Sequence, residues 1–323
     1  MNAKAEPKIN TNIKGHVREF GILIAFVAIV IVLMIISPEF GQTKNLLGVV
    51  RQASINGILA CGMMFVILSD GIDLSVGSIV ALSGVMAAHF AHPDTYPVIV
   101  PIVIAILAGL AVGLINGVGV AYGGMPPFII TLATMQAVRG LALIASGGSP
   151  YYDVSDSFKW IASGPKGFPV PILALYFLVI ILICGFVLTK TVFGRRIYAI
   201  GGNDVAARVS GISVKRMRLA VYSISGALAG LAGVLLASRT YQGSPTAGQS
   251  YELDALAAVV IGGISMSGGS GRWYGTLIGA LMLAVISNGL DILGVSSNYQ
   301  MIIKGAIIAI AVLVDIRSKK KND

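Results

Sequence analysis

One feature constrains this chain more than any other. Apolar stretches follow one another from Gly21 to Val314, interrupted once by a long polar and basic island, Gly194 to Arg218. A helix of about 20 apolar residues crosses a hydrocarbon core of about 30 Å. Helices satisfy their own backbone hydrogen bonds there, which open sheets and loops do not. Composition excludes a soluble domain. Charged residues make up 11% of the 323 and hydrophobic ones 56%, whereas soluble domains carry about a quarter charged residues. The chain reads as an all-α integral membrane protein in a lipid bilayer.

The pattern predicts about ten transmembrane helices. They are Gly21 to Ile36, closed by Ser37-Pro38; Leu46 to Leu68; Leu74 to a point before His92-Pro93; Val98 to Tyr122; and Phe128 to Ala145. After a polar loop, Ser146 to Phe168, come Pro171 to Leu188, Leu219 to Ala237, Leu253 to Ile264, Tyr274 to Leu290 and Tyr299 to Val314. The eighth is short for a crossing. It either borrows Tyr251 and Glu252 or is a broken helix. The first run lacks a small-residue cleavage site and is expected to be retained.

The net charge of +9 gathers at Lys4 to Arg18, Lys190 to Arg218 and Arg317 to Lys321. Ten crossings with the amino terminus inside put all three clusters on the cytoplasmic side, as the positive-inside rule requires. The charge therefore reads as topology and not as nucleic-acid binding. This divides the chain into an N-terminal tail (1–19), one membrane domain (20–316) holding a cytoplasmic segment (190–218), and a basic tail (317–323). Both termini are expected inside.

Gly71 to Ser78 (GIDLSVGS) aligns with Gly263 to Ser270 (GISMSGGS), a weak internal parallel repeat in which each string opens a span. GlyxxxGly pairs recur at Gly109/Gly113, Gly113/Gly117, Gly226/Gly230 and Gly275/Gly279, spacing that lets helices approach closely. Cys61 and Cys184 fall inside predicted spans and read as small hydrophobes with no disulfide expected.

Within the island, Gly201-Gly202 marks a turn, Asn203 is an N-cap, Asp204 suits the positive helix end, Arg208 suits the other, and Gly211 can stop the helix in the left-handed conformation. These define a short helix whose Val205 and Val209 share a face, with Ala206 and Ala207 beside them. It reads as a plug for a partner's groove, and a glutamate at Ala207 is expected to block that docking. The alternative is a loop whose basic residues only set orientation.

Other polar residues within or beside spans have two readings each. Asp73, with Ser75, is either a helix-start cap or a gate or ion site. Arg139 either faces a polar passage or reaches the interface. Asn116 and Asn288 either join helices or line a sugar path, with Thr131 and Gln136 the further candidates for that lining. Glu252 and Asp254 either cap span eight or receive a docking protein. No phosphate-binding loop, HExxH, CxxC or nucleophile elbow occurs, so the chain reads as no enzyme, with no catalytic residues, metal or cofactor of its own.

The strings GRRIYAIGGNDVAARVSGI, SDGIDLSVGS, PTAG, YELDA, GTLIGAL and GVSSNYQMIIKG resemble the permease subunits of bacterial ABC importers of the monosaccharide (ribose-type) branch, from about Leu46 to Val314. The resemblance implies a homodimer with the passage between protomers, in the inner membrane. It also implies a separate subunit that binds ATP and receives Gly202 to Gly211, and a periplasmic sugar-binding protein. Permeases for branched-chain amino acids or nucleosides are the nearer alternative. An ion-coupled secondary transporter or a membrane scaffold is the more distant one.

Overall fold

The computed structural model describes residues 11–92, 95–165 and 167–320. Their helices are α1 (Thr11–Ile36), α2 (Thr43–Leu68), α3 (Val76–Phe90), α4 (Ile99–Ala121), α5 (Pro127–Ala145), α6 (Asp156–Ser163), α7 (Ile172–Lys190), α8 (Val192–Gly202), α9 (Asp204–Val209), α10 (Val214–Thr240), α11 (Tyr251–Ile261), α12 (Trp273–Ile292) and α13 (Ser297–Lys320). Seven are long and apolar enough to cross a membrane. Two shorter apolar stretches, Gly21–Ile36 and Val76–Phe90, and the shorter α11 account for the other expected spans. The basic side chains from Lys4 to Arg18 and those beyond Arg317 lie outside the described residues.

Proline and glycine set many of the boundaries. Ser37-Pro38 closes α1, Pro127 occupies the first position of α5, and Pro171 precedes α7, all sites where a missing N–H costs little. Two differences from the sequence reading stand out. The polar loop after α5 contains α6, capped by the Ser155 hydroxyl accepting from Phe158 N. The basic island is mostly helical, and α10 begins at Val214, five residues ahead of the expected Leu219.

α2 is the axis of the bundle. Its apolar window is 78% buried, against 6% for α13 at the periphery. Glycines let α10 pack closely across α4: a Cβ on Gly109 would meet the backbone of Gly226 and Gly230, and one on Gly226 would meet Gly109 and Gly113. Close backbone approach of this kind drives helix association where lipid removes the hydrophobic drive. Gly275 and Gly279 do the same for α12 against Gly262 and Ala258 of α11.

α3 and α11 are short, at 15 and 11 residues, and each follows irregular backbone, Ser69–Ser75 and Tyr241–Ser250. At 1.5 Å per residue they reach about 22 and 16 Å, too little for a crossing alone. Gly243 exchanges two backbone bonds of 2.9 Å with Tyr151 of the α5–α6 loop. It sits against Gly84 and Ala88, whereas Gly248 sits against Gly77 and Val80. The segment therefore descends along α3, and the first turns of α3 and α11 meet inside the protein, with Glu252 beside Gly77. Span eight takes in Tyr251 and Glu252, as one of its two expected readings has it, and at 11 residues is still too short to cross alone.

The two strings of the expected repeat part midway. Both turn at their fourth and fifth residues, Leu74-Ser75 and Met266-Ser267. The first then enters α3 at Val76, and the second closes on itself through Ser265 N to Ser270 O at 3.0 Å. The closer likeness is between α2–α3 and α10–α11, each a long helix, an irregular segment and a short helix.

Candidate functional site

The island forms a helical elbow at one end of the bundle, called here the basic end. Asn203 Oδ1 accepts from Ala206 N at 2.9 Å and starts α9. Gly211, at φ +81°, ends it, with Ile212 N bonding Ala207 O and Gly211 N bonding Arg208 O, both at 3.0 Å. This is the left-handed glycine stop that spacing suggested. Asp204 lies 3.6 Å from Arg208 and 3.9 Å from Arg218 of α10.

The short helix has two distinct faces. Ala207 is buried and packs inward. Val205 and Val209, one turn apart, are 65% and 85% exposed, with Ala206 and Arg208 beside them. Ala207 therefore does not belong to the outward face, and a charge there would disrupt the packing of α9 on its own chain. Spacing put Val205 and Val209 together correctly. It had no way to say on which side of them the rest of the protein lay.

α8 carries this elbow into the bundle. Gly201, in its last turn, is pressed between the end of α2 and the α11–α12 turn: a Cβ there would overlap the Leu68 carbonyl and the Gly269 amide. Gly269 N in turn donates to Leu68 O at 3.0 Å. Tyr198 donates its hydroxyl to Gly271 O at 3.0 Å. Burial, ahead of the opposing Arg272, holds that phenol above its ordinary pKa and keeps it a donor. Asp315 of α13 accepts from Ser265 Oγ at 3.1 Å and Met266 N at 3.3 Å. α8 thus packs the elbow against the end of α2 and the turn that precedes α12.

A buried polar chain crosses the bundle. Ser225 Oγ of α10 donates to Asp73 Oδ2 at 2.8 Å. Asp73 Oδ1 accepts from Ser75 Oγ at 2.6 Å and Ser75 N at 3.0 Å. Asn116 Nδ2 of α4 donates to Ser75 Oγ at 2.8 Å, and Thr134 Oγ1 of α5 donates to Asn116 Oδ1 at 2.7 Å. Asp73, Ser75, Asn116 and Ser225 are all buried. Asp73 takes the amide of the residue before α3, so it shapes the helix start. Ser75, at the N-cap, makes no side-chain cap bond; its hydroxyl is committed to Asp73 and Asn116. Ser225 and Thr134 were not legible as members, because a serine or threonine within an apolar span is most often bonded to its own helix.

The remaining candidates separate. Thr131 is buried and donates to Pro127 O at 2.8 Å. Asn288 of α12 exchanges amide bonds of 2.8 and 2.9 Å with Asn45 of α2, a helix-joining pair. Gln136 is exposed on α5. Arg139 is committed to the segment ahead of α11: its guanidinium donates to Pro245 O at 2.8 Å and Ala247 O at 2.7 Å. Asp254 is buried and lies 3.0 Å from Lys304 Nζ of α13, so it does not present a docking surface. A lysine in one predicted span and an aspartate in another were the available signal for that pair. No group of residues suited to a metal occurs among the described residues.

Known proteins resemble this chain in sequence. The profile of the family described as "Branched-chain amino acid transport system / permease component" matches residues 45–312. The ribose import permease protein RbsC of Bacillus subtilis (strain 168) is 48% identical over 304 residues, covering 93% of this chain and 94% of that protein. The protein of the same name from Escherichia coli (strain K12) is 44% identical over 307 residues, covering 94% and 95%. The D-allose transport system permease protein AlsC of the same strain is 40% identical over 299 residues, covering 92% and 91%. No solved structure matches the chain.

Proposed function

Because this chain belongs to the branched-chain amino acid transport system permease family, we propose that it is the membrane subunit of an ATP-driven monosaccharide importer, with ribose the first substrate to test. The named sugar permeases above support the sugar over an amino acid or nucleoside. In this reading two copies form the passage between them in the inner membrane, with the basic end and both termini cytoplasmic. An ATP-binding subunit docks inside, and a periplasmic sugar-binding protein delivers substrate from outside. ATP is held by the partner, so the permease needs no nucleotide site of its own.

The observation that carries the coupling role is the exposed Val205–Val209 pair on a capped helix at the basic end. Two large apolar side chains presented to water with nothing of the chain over them suit a partner's groove. Closure of the ATP-binding subunits would push on α9. The push passes through Gly201 to Leu68 and Gly269, and along α10 to Ser225 and Asp73. The membrane halves then exchange inward-facing and outward-facing arrangements, driven only by the differential affinity of ATP and partners for the two. An ion-coupled mechanism is less well supported, since the buried carboxylate of Asp73 is already met by three donors.

The test is uptake of radiolabelled ribose into proteoliposomes holding the permease, its ATP-binding subunit and a ribose-binding protein. Uptake that needs enclosed ATP and ignores sodium and proton gradients is expected. Uptake without ATP, driven by either gradient, would overturn the reading.

A further inference from the structure

The irregular segment from Gly243 to Ser250 lies below the end of the bundle marked by the Tyr151–Gly243 pairing. Between Gly243, beside Gly84, and Gly248, beside Gly77, it follows α3 for about 10 Å at 1.5 Å per residue. Non-helical backbone at such depth is tolerated where protein covers it or where it lines a water-filled cavity. One side of the segment is covered, since Gly243, Pro245 and Gly248 are buried. The other side is not, and it is polar: Thr246 and Gln249 are exposed.

α5 extends that polar side. Arg139 holds the segment by two of its carbonyls. Gln136, three residues earlier and so on the same helical face, is exposed. Glu252, partly buried, stands close enough to Arg139 to interact with it electrostatically. Around this strip the surface of α5 is apolar, with Ile129, Leu132 and Leu141 exposed. Amides, a hydroxyl and ions do not face lipid without cost, so this strip faces something else.

We propose that Gln136, Thr246 and Gln249 form a sugar-contacting wall of the passage, with Arg139 as the positioning residue that fixes the segment bearing two of them. The ligand class is a neutral polyhydroxylated monosaccharide. Amide and hydroxyl groups offer it both donors and acceptors, and weak neutral contacts of this kind let substrate leave as well as enter. The proposal rests on the importer reading; it joins Gln136, a lining candidate from its sequence, to Thr246 and Gln249, which neither the sequence nor the relatives' names assign.

The experiment places a cysteine at Gln136, Thr246 or Gln249 in the full transporter and measures its rate of labelling by a membrane-impermeant methanethiosulfonate. Native Cys61 and Cys184 are buried and give low background, and Leu178→Cys on the exposed apolar face of α7 is the lipid-facing control. Labelling at all three positions, none at Leu178→Cys, and loss of labelling with saturating ribose-loaded binding protein are expected. Arg139→Ala should abolish ribose protection at Thr246 and Gln249 while that at Gln136 persists, a pattern that general unfolding does not produce. Spontaneous disulfide dimers through Gln136→Cys, with no labelling, would show that a second copy covers the strip and would overturn the proposal. So would labelling that ribose leaves unchanged, with wild-type uptake intact. Failure of wild-type ribose uptake itself would overturn the importer reading beneath it.

Discussion

Asp73, ahead of α3, and Ser225, midway along α10, are joined by a 2.8 Å hydrogen bond deep in the bundle. α10 is the helix that begins just after the exposed elbow, so this bond links the surface that a partner would touch to the root of a broken span. Ser225→Ala removes one of three donors to a buried carboxylate. A bond to a charged group is worth about 1.5–3 kcal/mol, and thermal unfolding in detergent should show a loss of that order. Asp73→Asn should lower stability as well and cut sugar uptake, because an amide nitrogen would then oppose a hydroxyl donor. Unchanged melting in both variants would show that the polar chain is incidental.

Gly201 and Gly202 are neighbours with opposite tolerances. A methyl group on Gly201 overlaps the backbone of Leu68 and Gly269, whereas Gly202 has nothing within 4 Å. Gly201→Ala should cost about 1–3 kcal/mol, as overpacking does, and should impair transport more than binding of the ATP-binding subunit. Gly202→Ala should be close to neutral. Comparable thermal stability and uptake in the two variants would refute the close junction of α2, α8 and the α11–α12 turn.

Lys304 and Asp254 form an ion pair between α13 and α11, with Asn56 Nδ2 of α2 3.4 Å from the same carboxylate oxygen. Lys304→Met strands a buried charge and should destabilise by on the order of 3 kcal/mol. Adding Asp254→Asn should restore much of that loss, since replacing both partners costs less than stranding one buried charge. Additive losses in the double variant, measured by thermal unfolding, would contradict this.

Much of this architecture was legible because lipid permits few solutions. The apolar runs, the proline stops, the GlyxxxGly crossings of α4, α10 and α12, and the Asn203–Gly211 caps are all local signals, and local physics decides them. The shortness of span eight was visible too. What it meant was not, because the descent of Gly243 to Gly248 along α3 depends on a non-local contact with Gly77 and Gly84. The same holds for the polar residues. Asn116 and Asn288 look alike in sequence, yet one belongs to a chain reaching Asp73 and the other pairs with Asn45. Ala207 lies inward although spacing sets it beside Val205 and Val209, because a six-residue helix shows which residues are neighbours without showing where its own bundle lies.

The most direct test of the account concerns Val205 and Val209. Val205→Asp combined with Val209→Asp adds two charges to an exposed face and touches no buried contact. The variant and the wild type would be extracted in detergent with the ATP-binding subunit co-expressed and its stoichiometry measured after affinity purification. The account predicts that the subunit is lost from the variant while the permease keeps its melting temperature and its size in solution. Retention of the subunit at wild-type stoichiometry, with ribose-stimulated ATP hydrolysis intact, would contradict it.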